Sequence, residues 1–300
     1  MNYYIGIDLG GTNVRVAKID ANGNIVQDIV KKSHGLEGPR ELVRDIIFSM
    51  LDEIDNLHEC LGIGIGVPGA VDSVRKVMTI SSNMNGFKDY PLASMIEEKY
   101  NMPCFIDNDA NVAGLGEALM GAGKDYPSVY YVTHSTGIGG AFVLNGHVVT
   151  GKNGYAGEIG NIIIDRNREK VNQLNVGAVE CEASGTAIVR KARASIGSIG
   201  HAGDVFDLAI KGDDRAVKLI DGMAKDFAQM LSSIAHVVDP HCFVIGGGVS
   251  NASDYYFPIV KKYYNEMVHD IMKDVPIVKA SLKEPGVVGA AMLVKAGLNK

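Results

Sequence analysis

Two glycine-rich turns, Asp8-Leu9-Gly10-Gly11-Thr12-Asn13 and Ser135-Thr136-Gly137-Ile138-Gly139-Gly140, each stand between two strand-like runs rather than between a strand and a helix. Tyr3–Asp8 and Val14–Ile19 flank the first, Val129–Thr133 and Ala141–Leu144 the second. That placement excludes a Walker A loop, which also needs a Gly-Lys-Ser/Thr ending, and the dinucleotide fingerprint, which opens a helix. Hairpins are required instead, and bare glycines there let backbone N–H groups come close to an anion. A third run, Gly246-Gly247-Gly248, follows the apolar segment Cys242–Ile245 and precedes a helical segment. One such turn is an ordinary hairpin. Three of them, one early in each half and one late, fit two hairpins gripping a polyphosphate with a late glycine step against a base.

Between these turns the chain alternates strand-like and helix-like segments. Ile25–Val30 reads as a third strand, reached through the turn residues Asp20-Ala21-Asn22-Gly23. Pro39 opens a helix whose apolar positions Leu42, Val43, Ile46, Ile47, Met50, Leu51 and Ile54 follow the helical period. Leu61–Val67 is a buried strand that ends at Pro68-Gly69, and Pro91–Tyr100 a short helix. Asp213-Asp214 caps a long helix whose stripe of Ala216, Ile220, Met223, Phe227, Met230, Ile234 and Val237 belongs to the core. With 300 residues and 46% hydrophobic content, a substantial core and about two domains are expected.

Several function classes fall away. A net charge of −6 gives no footprint for nucleic acid or an anionic membrane. The longest apolar run, Leu61–Val71, is too short for a bilayer, which needs ~20 residues. Strand-like Tyr3-Tyr4-Ile5 starts almost at Met1 without a basic leader. Cys60, Cys104, Cys181 and Cys242 lie far apart and form no CxxC pair, so they read as buried or idle thiols. A soluble cytoplasmic protein with no nucleic-acid or membrane partner is expected.

The segment Ile106-Asp107-Asn108-Asp109-Ala110-Asn111 places two carboxylates and two amides where a strand-like run, Met102–Ile106, meets a helix-like one. In α/β proteins that edge binds ligands, because the helix N-terminus offers unpaired N–H groups. Asp8, also at a strand end, can hold a cation through water, and Thr12 can donate to a phosphate. His134, Lys31-Lys32 and Lys261-Lys262 carry bland readings: a neighbour of the strand and solvated charge pairs.

On these motifs the chain resembles the sugar kinases of the ROK family, within the actin/hexokinase-like ATPase superfamily. Asp8 to Arg15 resembles that family's first phosphate motif, Gly64-Ile65-Gly66-Val67-Pro68-Gly69 its sugar loop, and Asn108-Asp109-Ala110-Asn111 its catalytic motif. Thr136 to Gly140 resembles the second phosphate motif, and Gly246-Gly247-Gly248 the adenosine motif. The resemblance implies an α/β chain with a two-domain, actin-like ATPase (ribonuclease H-like) fold, its mixed sheets flanked by helices around an interdomain cleft. It implies a small domain of residues 1–117 plus 286–300 and a large one of 118–285.

It also implies roles. Asp109 would be the catalytic base toward a sugar's primary hydroxyl. Asn108, Asp109, the Gly69 backbone, Glu158, Asn161 and Glu180 would bind the sugar, with Glu182 the alternative to Glu180. Asp8, Gly10, Gly11, Thr12, Asn13, Thr136, Gly137, Gly139, Gly247 and Gly248 would bind ATP, Asp8 with magnesium through water. A homodimer is expected on the same ground.

Many members of that family carry a structural zinc held by a histidine and a CxCGxxGCxE run. Here Asn161 stands at the histidine position, and Val171, Gln173 and Ala178 at those of the cysteines. A tetrahedral site needs about four N/S ligands, so no zinc is expected, and no metal would orient Asn161. The implied activity is transfer of the γ-phosphate of ATP to the 6-hydroxyl of a hexose, glucokinase-like. N-acetylmannosamine, N-acetylglucosamine and allose kinases are the alternatives within the family. A non-catalytic sugar-sensing regulator and an actin-like structural ATPase are the rivals from other classes.

Overall fold

The computed structural model describes residues 2–81 and 84–298. In chain order its first elements are β1 (Tyr3–Leu9), β2 (Asn13–Asp20), β3 (Ile25–Lys32), α1 (Arg40–Asp52), β4 (Cys60–Val67), β5 (Ala70–Asp72) and β6 (Val77–Ile80). There follow α2 (Leu92–Tyr100), β7 (Cys104–Asn108), α3 (Asp109–Met120), β8 (Ser128–His134), β9 (Ile138–Leu144) and β10 (His147–Val148). The remainder is α4 (Val179–Ala183), α5 (Gly185–Ser195), α6 (Ala202–Ile210), α7 (Asp214–Val238), β11 (Cys242–Gly246), α8 (Ser253–Met267), β12 (Ile277–Lys279) and α9 (Pro285–Leu298). The chain forms two compact units: Met1–Pro127 with Ala141–Gly157 and Ser281–Lys300, and Ser128–Gly140 with Glu158–Ala280.

The first unit holds a five-stranded sheet in the order β3-β2-β1-β4-β7. The turns at Gly10-Gly11 and Asp20–Gly23 make β1–β2 and β2–β3 antiparallel. β4 and β7 arrive after α1 and α2 and pair in parallel, as crossover connections require. Register brings Asp8 beside Gly66, and Gly66 beside Asp107. Three parallel strands therefore end together at their carboxyl side.

Strand alternation sorts the two faces. Ile5, Ile7, Ile63 and Ile65 join Val43, Ile47, Met50 and Leu51 of α1 in one buried cluster. On the opposite face α9 lies directly on the sheet, because Gly6 and Gly64 carry no side chain. A Cβ at Gly64 would stand 1.8 Å from the Ala290 carbonyl oxygen, and one at Gly6 2.0 Å from that of Val287. α9 in turn buries Val287, Val288, Ala290, Ala291, Met292 and Val294. Close to the end of α3, the fully buried Glu117 accepts the backbone N–H groups of Ala122 (2.9 Å), Ser281 (3.0 Å) and Leu282 (2.8 Å).

In the second unit β8 pairs in parallel with β11, and β11 with β12. α7 buries Ala216, Ile220, Met223, Phe227, Met230 and Ile234. Val237, expected on the same stripe, is instead 82% exposed, since the last turn of this 25-residue helix runs past the core. Phe227, Phe243, Tyr256 and Tyr264 are among its largest fully buried side chains. All four cysteines are unpaired and buried. Among the described residues, no helix is long and apolar enough to cross a membrane.

Candidate active site

Asn108 closes β7 and is the N-cap of α3: its backbone is extended (φ −64°, ψ 150°) and its Oδ1 accepts the Ala110 N–H at 2.9 Å. The same side chain donates from Nδ2 to the Gly69 carbonyl at 2.9 Å. Asp107, one residue earlier, is buried and accepts from the Asn108 N–H and from Asn111 Nδ2, both at 2.7 Å. Residues 107 and 111 are one helical turn apart, so the Asp-Asn-Asp-x-Asn spacing locks strand end to helix start. Asp109 is the first helical residue and takes the Ala110 N–H at 2.8 Å. Its surface reaches solvent, yet the protein packed around it raises its pKa, with the Ala110 N–H and Asn108 pulling the other way. The helix N-terminus alone would hold this carboxyl low. Burial outweighs it.

Asp8, half-buried at the end of β1, is pushed up to about 6, first by burial and then by the Asp109 and Glu284 carboxylates, against the pull of Arg15. Arg15 is itself paired with Asp28 at 2.7 Å and Glu284 at 3.0 Å. Three carboxylates around one guanidinium leave this corner short of positive charge, which suits a hard divalent cation. Among the described residues no group of three or more His, Cys, Asp or Glu could hold a metal ion alone. The carboxylate of Asp8 at this corner matches the donor set of magnesium, which keeps several waters and takes one or two carboxylates plus substrate phosphates.

The tip of the first hairpin is held from behind. Ser33 Oγ donates to the Gly10 carbonyl (2.6 Å), the Ser33 N–H to Thr12 (2.9 Å) and the Gly35 N–H to Gly11 (3.1 Å). A trans peptide sets C=O and the next N–H in opposite directions, so the N–H groups of Gly11 and Thr12 point away from Ser33 and Gly35. Thr12 and Asn13 are exposed there. Sequence reasoning did not find Ser33; its only signal is a hydroxyl just beyond the third strand.

The second hairpin repeats the arrangement. The Gly185 N–H donates to the Ser135 carbonyl (2.8 Å) and the Thr186 N–H to that of Thr136 (3.2 Å), turning the Thr136 and Gly137 N–H groups the other way. Ser135, Thr136 and Thr186 line a cavity of about 940 Å³ together with Gly248, Asn251 and Phe206. The second hairpin and the late glycine step thus share one hollow. Gly247, just before the lining residue Gly248, has φ +83°. His134, just before this turn, is fully buried and stacked on Phe227 (4.5 Å between ring centroids). Its Nε2 donates to the Ala183 carbonyl (2.8 Å) and its Nδ1 faces the Tyr256 hydroxyl (3.1 Å). Burial pulls its pKa down to about 4.

Glu158 stands at the N-cap position of the single turn Ile159–Asn161, with no side-chain cap hydrogen bond to it. Asn161 Oδ1 accepts the Asn175 N–H at 2.8 Å, so this side chain is oriented by a hydrogen bond where the sequence offered no metal to do so. Nearby, Ile163 bridges Ala178 and Cys181 Sγ contacts Asn172 Oδ1 at 3.2 Å. Glu180 Oε2 accepts the Ile138 N–H at 2.8 Å. Glu182 points elsewhere: it is buried and ion-paired with Arg168 (2.8 Å) and Lys191 (2.7 Å), and Arg168 also holds Asp226 at 3.0 Å.

A mixed sheet opened by a glycine hairpin, with a second hairpin and glycine step in the other unit, defines the two-domain, actin-like ATPase class. Within it, the chain belongs to the ROK family, whose sequence profile matches residues 4–297. It is 30% identical to a glucokinase of Halalkalibacterium halodurans over 98% of this chain and 95% of that protein. It is also 30% identical to the xylose repressor of Bacillus subtilis, covering 82% of this chain and 64% of the repressor. Among solved structures it is similar to a ROK hexokinase from Thermus thermophilus (29% identity, TM-score 0.88, 99% of both chains). A Streptomyces griseus ROK glucokinase in complex with glucose and AMPPNP is similar as well (27% identity, TM-score 0.80, 99% of this chain and 100% of that one).

Proposed function

We propose that the chain is an ATP-dependent sugar kinase that transfers the γ-phosphoryl group to the 6-hydroxyl of a hexose, with glucose the first candidate. The observation that carries the reading is the corner at Asp109: a carboxylate opening α3, its neighbour Asn108 tied to Gly69, beside the hairpin carboxylate Asp8. Phosphoryl transfer depends on positioning and charge stabilisation more than on covalent help from the protein. Asp109 would orient the hydroxyl and accept its proton late. The N–H groups of Gly11, Thr12, Thr136 and Gly137 would hold phosphates, and Gly247 and Gly248 the adenosine. Asp8 would hold magnesium through water, and the ion would supply neutralisation of the charge on the phosphates.

The sugar would be read by Asn108, the Gly69 backbone, Glu158, Asn161 and Glu180. With Oδ1 engaged by Asn175, Asn161 would present its Nδ2 donors, a different pattern from an imidazole. Sites built on hydrogen-bonded hydroxyls discriminate by up to ~10⁴–10⁵ when a partner is lost, so N-acetylmannosamine, N-acetylglucosamine and allose stand as alternative substrates. The glucokinase relative favours glucose. A homodimer is the assembly this reading expects, checked by sedimentation.

The test is a panel of hexoses and N-acetylhexosamines with magnesium–ATP, with the phosphorylated position read by phosphorus NMR. Formation of a 6-phosphate supports the kinase. Turnover of no sugar, together with tight sugar binding, would favour a sensing regulator, the reading to which the repressor relative points.

A further inference from the structure

Glu180 touches the second hairpin, not only the region where a sugar would be read. Its Oε2 takes the N–H of Ile138, the residue right after the Ser135-Thr136-Gly137 turn, at 2.8 Å. The carboxylate is wedged between two backbones. A Cβ on Gly137 would stand 2.6 Å from Oε2, and one on Gly160 would stand 3.1 Å from Oε2 and 2.4 Å from the Ile138 carbonyl oxygen. Glycine at both positions leaves room for the carboxylate where two loops meet. The turn is closed on itself by the Ser135 N–H on the Gly137 carbonyl (2.9 Å), and the Gly185 and Thr186 N–H groups hold the Ser135 and Thr136 carbonyls; Glu180 holds the N–H that follows. Only Ser184 separates α4 from α5, so the short segment 180–186 grips the hairpin from both sides.

We propose that Glu180 is a positioning residue for the donor nucleotide. By holding the Ile138 N–H it fixes the tilt of the 135–138 turn, and hence the aim of the Thr136 and Gly137 N–H groups, with no sugar present. The inference rests on the reading of this turn as a phosphate-binding hairpin. A hydrogen bond to an ionised acceptor is about twice as strong as a neutral one, so its loss loosens the turn measurably. If Glu180 also receives a sugar hydroxyl, one carboxylate joins acceptor and donor.

The test is the dissociation constant of magnesium–AMPPNP, by calorimetry without sugar, for wild type, Glu180→Ala, Glu180→Asp and Glu180→Gln. Alanine removes the acceptor, aspartate withdraws it by one methylene while keeping the charge, and glutamine keeps an acceptor in place without the charge. The expected pattern is about tenfold or greater weakening for alanine and aspartate, and a change within about threefold for glutamine. Should alanine fail to fold, aspartate against glutamine decides. Wild-type affinity in the aspartate variant, or glutamine as weak as aspartate, overturns the proposal. Wild type that binds no magnesium–AMPPNP removes the phosphate-hairpin reading itself, and the proposal with it.

Discussion

Asn108 joins Gly69 to Asp109: its Nδ2 donates to the Gly69 carbonyl at 2.9 Å while its Oδ1 caps the helix that Asp109 begins. One amide thus fastens the loop after β4 to the first turn of α3. The direction of the Asp109 carboxyl depends on a bond that Asp109 does not make.

Replacing Asp109 by asparagine keeps the shape and removes the carboxylate proposed to accept the proton. We expect kcat to fall by about 10²–10⁴, the usual range for a general base, with sugar affinity within a few-fold of wild type. Single-turnover kinetics and sugar titration separate the two, and near-normal kcat would sink the assignment.

Asp8 gives a pH-dependent signature. Its pKa is raised from 3.8 to about 6 in the fold, so the folded state binds the extra proton between those values. Stability from this group is present below about pH 4 and lost as pH rises through 6. Asp8→Asn should therefore be more stable than wild type at pH 8, by about 1–2 kcal/mol, and equally stable at pH 4, while turnover with magnesium–ATP is lost. Urea midpoints at both pH values check the sign; a variant less stable at pH 8 contradicts it.

Glu117 serves stability rather than chemistry. Removing its buried carboxylate in Glu117→Ala leaves the Ala122, Ser281 and Leu282 N–H groups without their acceptor. A loss of about 3–5 kcal/mol is expected, with Glu117→Gln milder because it keeps one acceptor. Denaturant unfolding of the two variants measures it, and an unchanged midpoint for alanine would show that water replaces the carboxylate.

His134 is held neutral, its pKa lowered from 6.5 to about 4. The unfolded chain gains a proton there first, so stability is present above about pH 6.5 and lost as pH falls toward 4, about 3 kcal/mol in all. His134→Gln should flatten that acid slope by about one proton while costing stability at pH 7. Unfolding midpoints at pH 7, 6 and 5 report it, and an unchanged slope would contradict it.

Much of the first sheet was legible in the chain because its cues are local. Glycine turns and alternating burial place β1, β2, β3 and β4 within two residues of their observed ends, and Asp213 caps α7 as its position before the apolar stripe implies. The Asp107-Asn108-Asp109 corner was readable for the same reason, since strand end, cap and helix are adjacent. Contacts between distant segments were not. Glu117 reads as one more helix residue until Ser281 and Leu282, more than 160 positions later, are folded onto it. Glu180 and Glu182 look interchangeable in sequence, and only Arg168, Lys191 and Ile138 separate them. Helices α4 to α6 escaped notice because glycines and charges interrupt their apolar spacing.

The seating of α9 on Gly6 and Gly64 has a consequence for synthesis. The strands β1 and β4 are covered on that face by residues made much later, after the whole run from 158 to 280 has been made. A nascent chain halted before Pro285 carries a sheet bare along its glycine stripe, so this unit is completed only after the other has been synthesised.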